Sequence, residues 1–291
     1  MRVRAVSFFL SIVVAAICAA PWRLAILRGE SEVVMGAKNL FDMTGRVVVV
    51  TGSTKGIGRA MAQGFAEAGA AVVVSSRKQE LCDEVAAQIG ESTGATTLGL
   101  ACHVGDWDAI PGFVDNVVDR LGPIHTLVNN AGISPSRITV ADMTLEFWRK
   151  IFSVNLEGPL RMAQCIAPVM RDNGGGSIIN IATTAAYSGG STVCAYGASK
   201  AGLVNLTKSM AQEWAQWKVR VNVISPGPFM TEMVEGGART APGFKETLAS
   251  VTLLNRIADP SEIVGPVMYL ASDASSFVTG DDISVSGGMH K

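Results

Sequence analysis

The chain has 291 residues, 48% of them hydrophobic and 17% charged, against roughly 25% charged in typical soluble domains, and that balance excludes intrinsic disorder. Twenty-four lysines and arginines against 25 acidic residues leave a net charge of −1, so no basic excess exists to neutralise nucleic-acid phosphates. The 31 glycines follow no three-residue period, which excludes collagen; in a weakly charged aliphatic chain they suit a buried parallel sheet with tight turns.

Residues 1–34 stand apart. Arg2 and Arg4 precede an apolar run over 5–20, followed by Pro21, Trp22 and Arg23. The basic head, the short run and the small residues at Cys18-Ala19-Ala20 resemble a secretory leader. The run is short for a membrane span of about 20 apolar residues. A leader, an anchor and an upstream mis-start with translation beginning at Met35 stay open. Residues 39–291 have the size of one α/β domain. The cysteines (Cys18, Cys82, Cys102, Cys165, Cys194) are odd in number and lack C-x-x-C spacing, which points to isolated thiols in a reducing, cytoplasmic setting unless the first segment exports or anchors the chain. His103, His125 and His290 are too dispersed for a metal site, and none is expected.

The first predicted strand is the unbroken valine run 47–50, a pattern of burial on both faces. A glycine-rich turn leads into a helix over 57–68. Strand 71–75, helix 78–89, strand 96–101, helix 109–121 and strand 124–128 follow. A long helical pattern covers 144–170, with Gly158-Pro159 inside it. Strand 177–181, helix 195–217 and strand 219–224 come next. Residues 225–258 read as a proline- and glycine-punctuated loop, a length that suggests a lid. A helix starts near Pro260, and 283–285 forms the last strand. Strict alternation with long crossovers predicts a parallel sheet with helices on both faces, its ligand lying outside the carboxyl ends of the strands.

Thr51-Gly52-Ser53-Thr54-Lys55-Gly56-Ile57-Gly58 joins the first strand to the first helix. Glycines there let backbone approach a pyrophosphate, and the helix start aims free N–H groups at it, so this loop predicts dinucleotide binding. Asn129-Asn130-Ala131-Gly132 follows the fourth strand, and Ser225-Pro226-Gly227 follows the sixth. Tyr196 and Lys200, four residues apart on a predicted helix, share one face. In this order and spacing, over about 42–288, these motifs resemble the short-chain dehydrogenase/reductase family.

The resemblance implies an α/β fold: a Rossmann-type doubly wound parallel sheet of about seven strands in a single domain. It implies a nicotinamide cofactor held by 52–58 and by Asn130, Ala131, Gly132, Tyr196, Lys200, Pro226, Gly227 and Thr231. Ser75-Ser76-Arg77-Lys78 ends the second strand without the carboxylate that holds NAD ribose hydroxyls; Ser76, Arg77 and the cation Lys55 therefore favour NADP(H) over NAD(H). His103, next to Val104, stands where the family usually has an aspartate beside the adenine, and a structural role is equally open for it. His125 receives no functional assignment.

The family's chemistry falls on Tyr196, Lys200, Thr183 and Asn155. Free tyrosine titrates near pH 10, and the Lys200 ammonium, helped by the positively charged oxidised nicotinamide, is expected to lower that value so that Tyr196 exchanges a proton with a carbonyl or alcohol oxygen. Thirteen residues before Tyr196 the family has serine; this chain has Thr183, whose hydroxyl still donates to the substrate oxygen, with Thr184 as the neighbouring alternative. Asn155 matches the asparagine that supports a proton relay to the lysine. Substrate walls are expected from Pro135, Ala185, Tyr187, Val193, Cys194, Phe229 and Met233, with Arg137 and Arg239 as optional receivers of an acidic group. The expected substrate is a small carbonyl compound or secondary alcohol: a 3-oxoacyl, steroid, sugar or small ketone. The competing class is a non-catalytic NADP(H)-binding sensor of the same fold. The long helices 144–170 and 195–217 resemble those that form family dimers and tetramers, so a homo-oligomer is expected.

Overall fold

The computed structural model describes residues 40–134 and 138–289, all within the unit Leu40–Lys291. Pro135 and Arg137, His290, residues 1–39 and the Met233 side chain lie outside the described set.

Seven strands form one parallel sheet: β1 Val47–Thr51, β2 Ala71–Ser75, β3 Thr97–Gly99, β4 Ile124–Asn129, β5 Gly176–Ile181, β6 Val219–Pro226 and β7 Asp282–Val285. Their spatial order is β3-β2-β1-β4-β5-β6-β7. The chain builds outward from β1 to β3, then crosses to the other side of β1 and builds outward again. The direction switches between β1 and β4, and a crevice opens at their carboxyl ends. Side chains alternate across the sheet with the strand period of two. Val47 and Val49 enter one core with α3 (Ala109–Leu121), α5 (Gly158–Asp172) and α6 (Cys194–Trp214). Val48 and Val50 enter the other, against α1 (Gly56–Glu67), α2 (Gln79–Thr93) and α9 (Val264–Ala271). All five β1 residues are buried, as a strand covered on both faces must be.

Three local features depart from the sequence pattern. The β1–β4 register slips between Val47 and Val48, which pair with Ile124 and Thr126. His125 is the skipped residue, and its Nδ1 accepts the Val47 N–H at 3.0 Å, supplying the partner that the slip removes. The helical pattern 144–170 is α4 (Leu145–Phe152) and α5 joined by a π turn, Ser153–Glu157. Segment 225–258 is not a bare loop: it holds α7 (Glu232–Thr240) and α8 (Phe244–Ser250), and the Phe229–Ala258 bridge ties its two ends together. Among the described residues no helix is long and apolar enough to cross a membrane.

Candidate active site

The loop after β1 is held open by its neighbours. Thr51 Oγ1 accepts the N–H groups of Asn130 and Ala131, each at 3.0 Å, and Asn130 Nδ2 donates to the carbonyls of Thr51 at 2.8 Å and Gly52 at 3.1 Å. The Asn130-Ala131-Gly132 turn and the glycine loop are thus one hydrogen-bonded unit. Gly52 has φ of +65°, and a Cβ there would stand 2.9 Å from Ala131 Cα. A Cβ on Gly58 would overlap the Gly52 carbonyl oxygen and Asn130 Nδ2. Lys55 sits at the α1 N-cap with no side-chain cap, and no acid occupies the first turn. The leading N–H groups of α1 stay available to an anion, and the missing Cβ atoms let that anion come close. This cradle fits a dinucleotide pyrophosphate. Thr54 lies half-buried on the loop, and the partly buried Ile57 packs into the core on the α1 side.

Not every residue of the loop faces the crevice. Ser53 is fully buried; its hydroxyl donates to the Val50 carbonyl at 2.6 Å and accepts the Ser75 N–H at 2.9 Å. Its own N–H donates to the Ser75 carbonyl, so Ser53 splices β1 to β2 and offers a ligand no donor. Lys55, expected as a free cation, pairs with Glu232 of α7 at 2.6 Å. Arg77, beyond β2, is exposed and makes no ion pair among the described residues. The Ser76 N–H donates to Cys82 Sγ at 3.1 Å. His103 is exposed after β3, and its Nδ1 accepts the Gly105 N–H at 3.1 Å; Val104 beside it is buried.

The polar cluster sits one strand further along, past the end of β5. Thr183 is extended and caps a short 3₁₀ turn, Thr184–Ala186, its Oγ1 accepting the Ala185 N–H at 3.3 Å. The Thr183 side chain also interacts with Tyr196, which favours the phenolate. Burial outweighs it and holds the Tyr196 pKa above the usual value for tyrosine. Lys200 is not among the groups that shift Tyr196. The Lys200 ammonium is turned to the Ile181 carbonyl at 2.7 Å, and with no carboxylate beside it burial brings its pKa down to about 8. Thr184 points elsewhere, to Met289 Sδ at 3.4 Å.

Asn155 lies fully buried in the π turn. Its Oδ1 accepts the Ile133 N–H and its Nδ2 donates to the Ile133 carbonyl, both at 2.9 Å, with a further bond to Ser199 Oγ at 3.2 Å. A Cβ placed on Gly132 would lie 3.5 Å from both Asn155 Oδ1 and Lys200 Nζ, so the N-N-A-G turn runs directly beside the lysine. Ser199 and the Ile181 carbonyl are members of the cluster that sequence reasoning missed. Ser199 carried a signal, since it precedes Lys200 on the same helix, whereas a backbone carbonyl carries none.

Ala185, Tyr187, Val193 and Cys194 line an open cavity of about 310 Å³ together with Gly197, Ala198 and Ala201 of α6. Tyr196 does not line it; a much smaller cleft, which shares Val193 and Cys194 with it, reaches Tyr196. Phe229 is not a wall of either. It is 5% exposed and packs into the core on the α1 side, because the Phe229–Ala258 bridge draws it down onto the sheet. Pro226 ends β6 and Gly227 follows it, where a Cβ would come within 2.8 Å of Ser286 Cα, and Thr231 lies against Gly56.

A family model described as enoyl-(acyl carrier protein) reductase matches residues 52–290. The chain is 34% identical over 275 residues to dehydrogenase/reductase SDR family member 4 of Homo sapiens, covering 94% of this chain and 95% of that protein. Among solved structures, a gluconate 5-dehydrogenase from Burkholderia cenocepacia in complex with NADP and tartrate is 33% identical with a TM-score of 0.83, over 87% of this chain and 98% of that one. L-sorbose reductase from Gluconobacter frateurii, complexed with NADPH and L-sorbose, is 29% identical with a TM-score of 0.82, over 86% and 98%.

Proposed function

Because the chain belongs to the short-chain dehydrogenase/reductase family of NAD(P)-dependent oxidoreductases, we propose that it interconverts a ketone and a secondary alcohol with NADP(H) as the favoured cofactor. The observation that carries the reading is the Thr183–Tyr196–Lys200 cluster at the mouth of a cradle built for a pyrophosphate. A nicotinamide dinucleotide in that cradle supplies or accepts the hydride.

The protein's own part is to bind, align and move one proton. Tyr196 is kept protonated by burial, which suits it to donate to a carbonyl oxygen during reduction. Thr183 holds the oxygen beside it through the hydroxyl that also acts on Tyr196. Lys200, titrating near 8, is able to return a proton to the tyrosine at close to neutral pH. Asn155 is a positioning residue: its side chain is engaged by the Ile133 backbone and Ser199, so it fixes the turn beside Lys200.

The cofactor preference rests on Arg77, an exposed cation at the β2 end with no ion pair among the described residues, and on the NADP and NADPH that two related structures contain. Arg77→Ala is expected to weaken NADPH binding far more than NADH binding. Equal losses would refute a 2′-phosphate contact. Turnover is to be sought on a panel of ketones and secondary alcohols headed by hydroxylated compounds of the kind those relatives are named for. Tight cofactor binding without turnover on any of them would favour the sensor instead.

A further inference from the structure

Segment 227–258 touches the phosphate loop where charge matters most. The Thr231 methyl lies 3.4 Å from where a Cβ on Gly56 would stand, and Glu232 closes a 2.6 Å ion pair with Lys55. Both partners are about two-thirds exposed, at 66% and 65%. Glu232 and Glu235 make the first turn of α7 acidic. A carboxylate thus occupies Lys55, one of the two cations, with Arg77, that the sequence offers to a 2′-phosphate. Resting on the NADP(H) reading above, we infer that Glu232 is a cofactor-specificity residue: it competes with the ribose 2′-phosphate for Lys55 and so restrains the preference for NADP(H).

The argument is electrostatic. Lys55 and Arg77 leave the carboxyl ends of neighbouring strands, with Thr51 paired in register to Ser75. A phosphate monoester carries between one and two negative charges near neutral pH and repels a carboxylate that shares its ammonium. Its arrival must break the Lys55–Glu232 pair or forgo Lys55. The neutral 2′-hydroxyl of NAD(H) imposes no such choice and leaves the pair intact. Exposed ion pairs are weak, so the restraint is a matter of about 2- to 5-fold in affinity rather than a block.

The test is fluorescence titration of the full chain with NADPH and with NADH at low ionic strength. E232Q is expected to bind NADPH about 2- to 5-fold more tightly and NADH unchanged, with the gain fading at high salt as screening sets in. K55M is expected to weaken NADPH selectively, and adding E232Q to it should bring no further gain. An equal change for both cofactors in E232Q would overturn the inference and leave Glu232 as a packing residue of the segment. Weaker NADPH binding in E232Q would overturn it too, making Glu232 a holder of Lys55. R77A separates the levels: if it discriminates between the cofactors while E232Q does not, only the Glu232 inference fails, and if R77A fails to discriminate, the NADP(H) reading falls with it.

Discussion

Thr183→Val replaces a hydroxyl by a methyl at nearly constant volume and removes two interactions at once. The first is local: the Ala185 N–H loses its acceptor at 3.3 Å, a cap whose loss costs about 1 kcal/mol of stability. The second is the hydroxyl that interacts with Tyr196, beside which the substrate oxygen is proposed to sit. Losing one preorganised donor to a developing oxyanion typically costs about a hundred- to a thousandfold in turnover, or about 3–4 kcal/mol. The rate effect therefore far exceeds the stability effect, and the two are separable by following reduced-cofactor absorbance alongside thermal melting. Cofactor affinity should stay near that of the parent, because Thr183 is not part of the glycine-loop cradle. The Tyr196 phenol should also titrate higher, since the hydroxyl that favours phenolate is gone. Thr183→Ser should restore the rate, and Thr184→Val should scarcely alter it, because the Thr184 hydroxyl is turned to the Met289 sulfur. If Thr184→Val were the damaging change and Thr183→Val benign, the reasoning from this hydrogen-bond geometry would be wrong.

Other outcomes follow from burial and sterics. Lys200 has a folded pKa of about 8 against 10.5 for a free lysine, so between those values the unfolded chain binds more protons and stability rises with pH. Denaturant unfolding of the cofactor-free protein should show a gain of up to about 3 kcal/mol across that window, absent in Lys200→Met; it is best read below about pH 10, since Tyr196 acts in the opposite sense above that. Gly58→Ala forces a Cβ into the Gly52 carbonyl and Asn130 amide, and calorimetry should find cofactor binding lost. His125→Ala leaves the buried Val47 N–H unpartnered and should cost about 1–3 kcal/mol in chemical unfolding with the rate per folded molecule unchanged. Burial and the nearby Arg46 hold the His125 pKa below its ordinary value, so the intact protein should lose stability as pH falls through the histidine range, and His125→Ala should lose less.

What proved legible in the sequence was local. The valine run of β1 announces a doubly covered strand because strand side chains alternate and all of these are apolar. The glycines of 52–58 mark close backbone approach because only the absence of a Cβ permits it, and Gly58 against Gly52 is the physical instance. Tyr196 and Lys200 were placed on one face by helix geometry alone. Segment 225–258 was less legible, since the described side chains of its two short helices include no buried apolar stripe to stand out among its glycines and prolines.

The remainder depended on chain folded back from far away. His125 has no pattern of its own; its role exists because a slipped register leaves Val47 without an acceptor. Asn155 reaches Ile133 and Ser199 only because a π turn interrupts the helix period that the sequence otherwise suggests. Phe229 reads as a pocket wall in one dimension and is core in three, because the bridge to Ala258 buries it. Lys55 reads as a free cation until α7 sets Glu232 against it, 177 residues away. Periodicity and motif spacing act through neighbours along the chain and so carried the β-α alternation and the family resemblance; burial, pairing and protonation are set by neighbours in space, and only the tertiary structure supplies those.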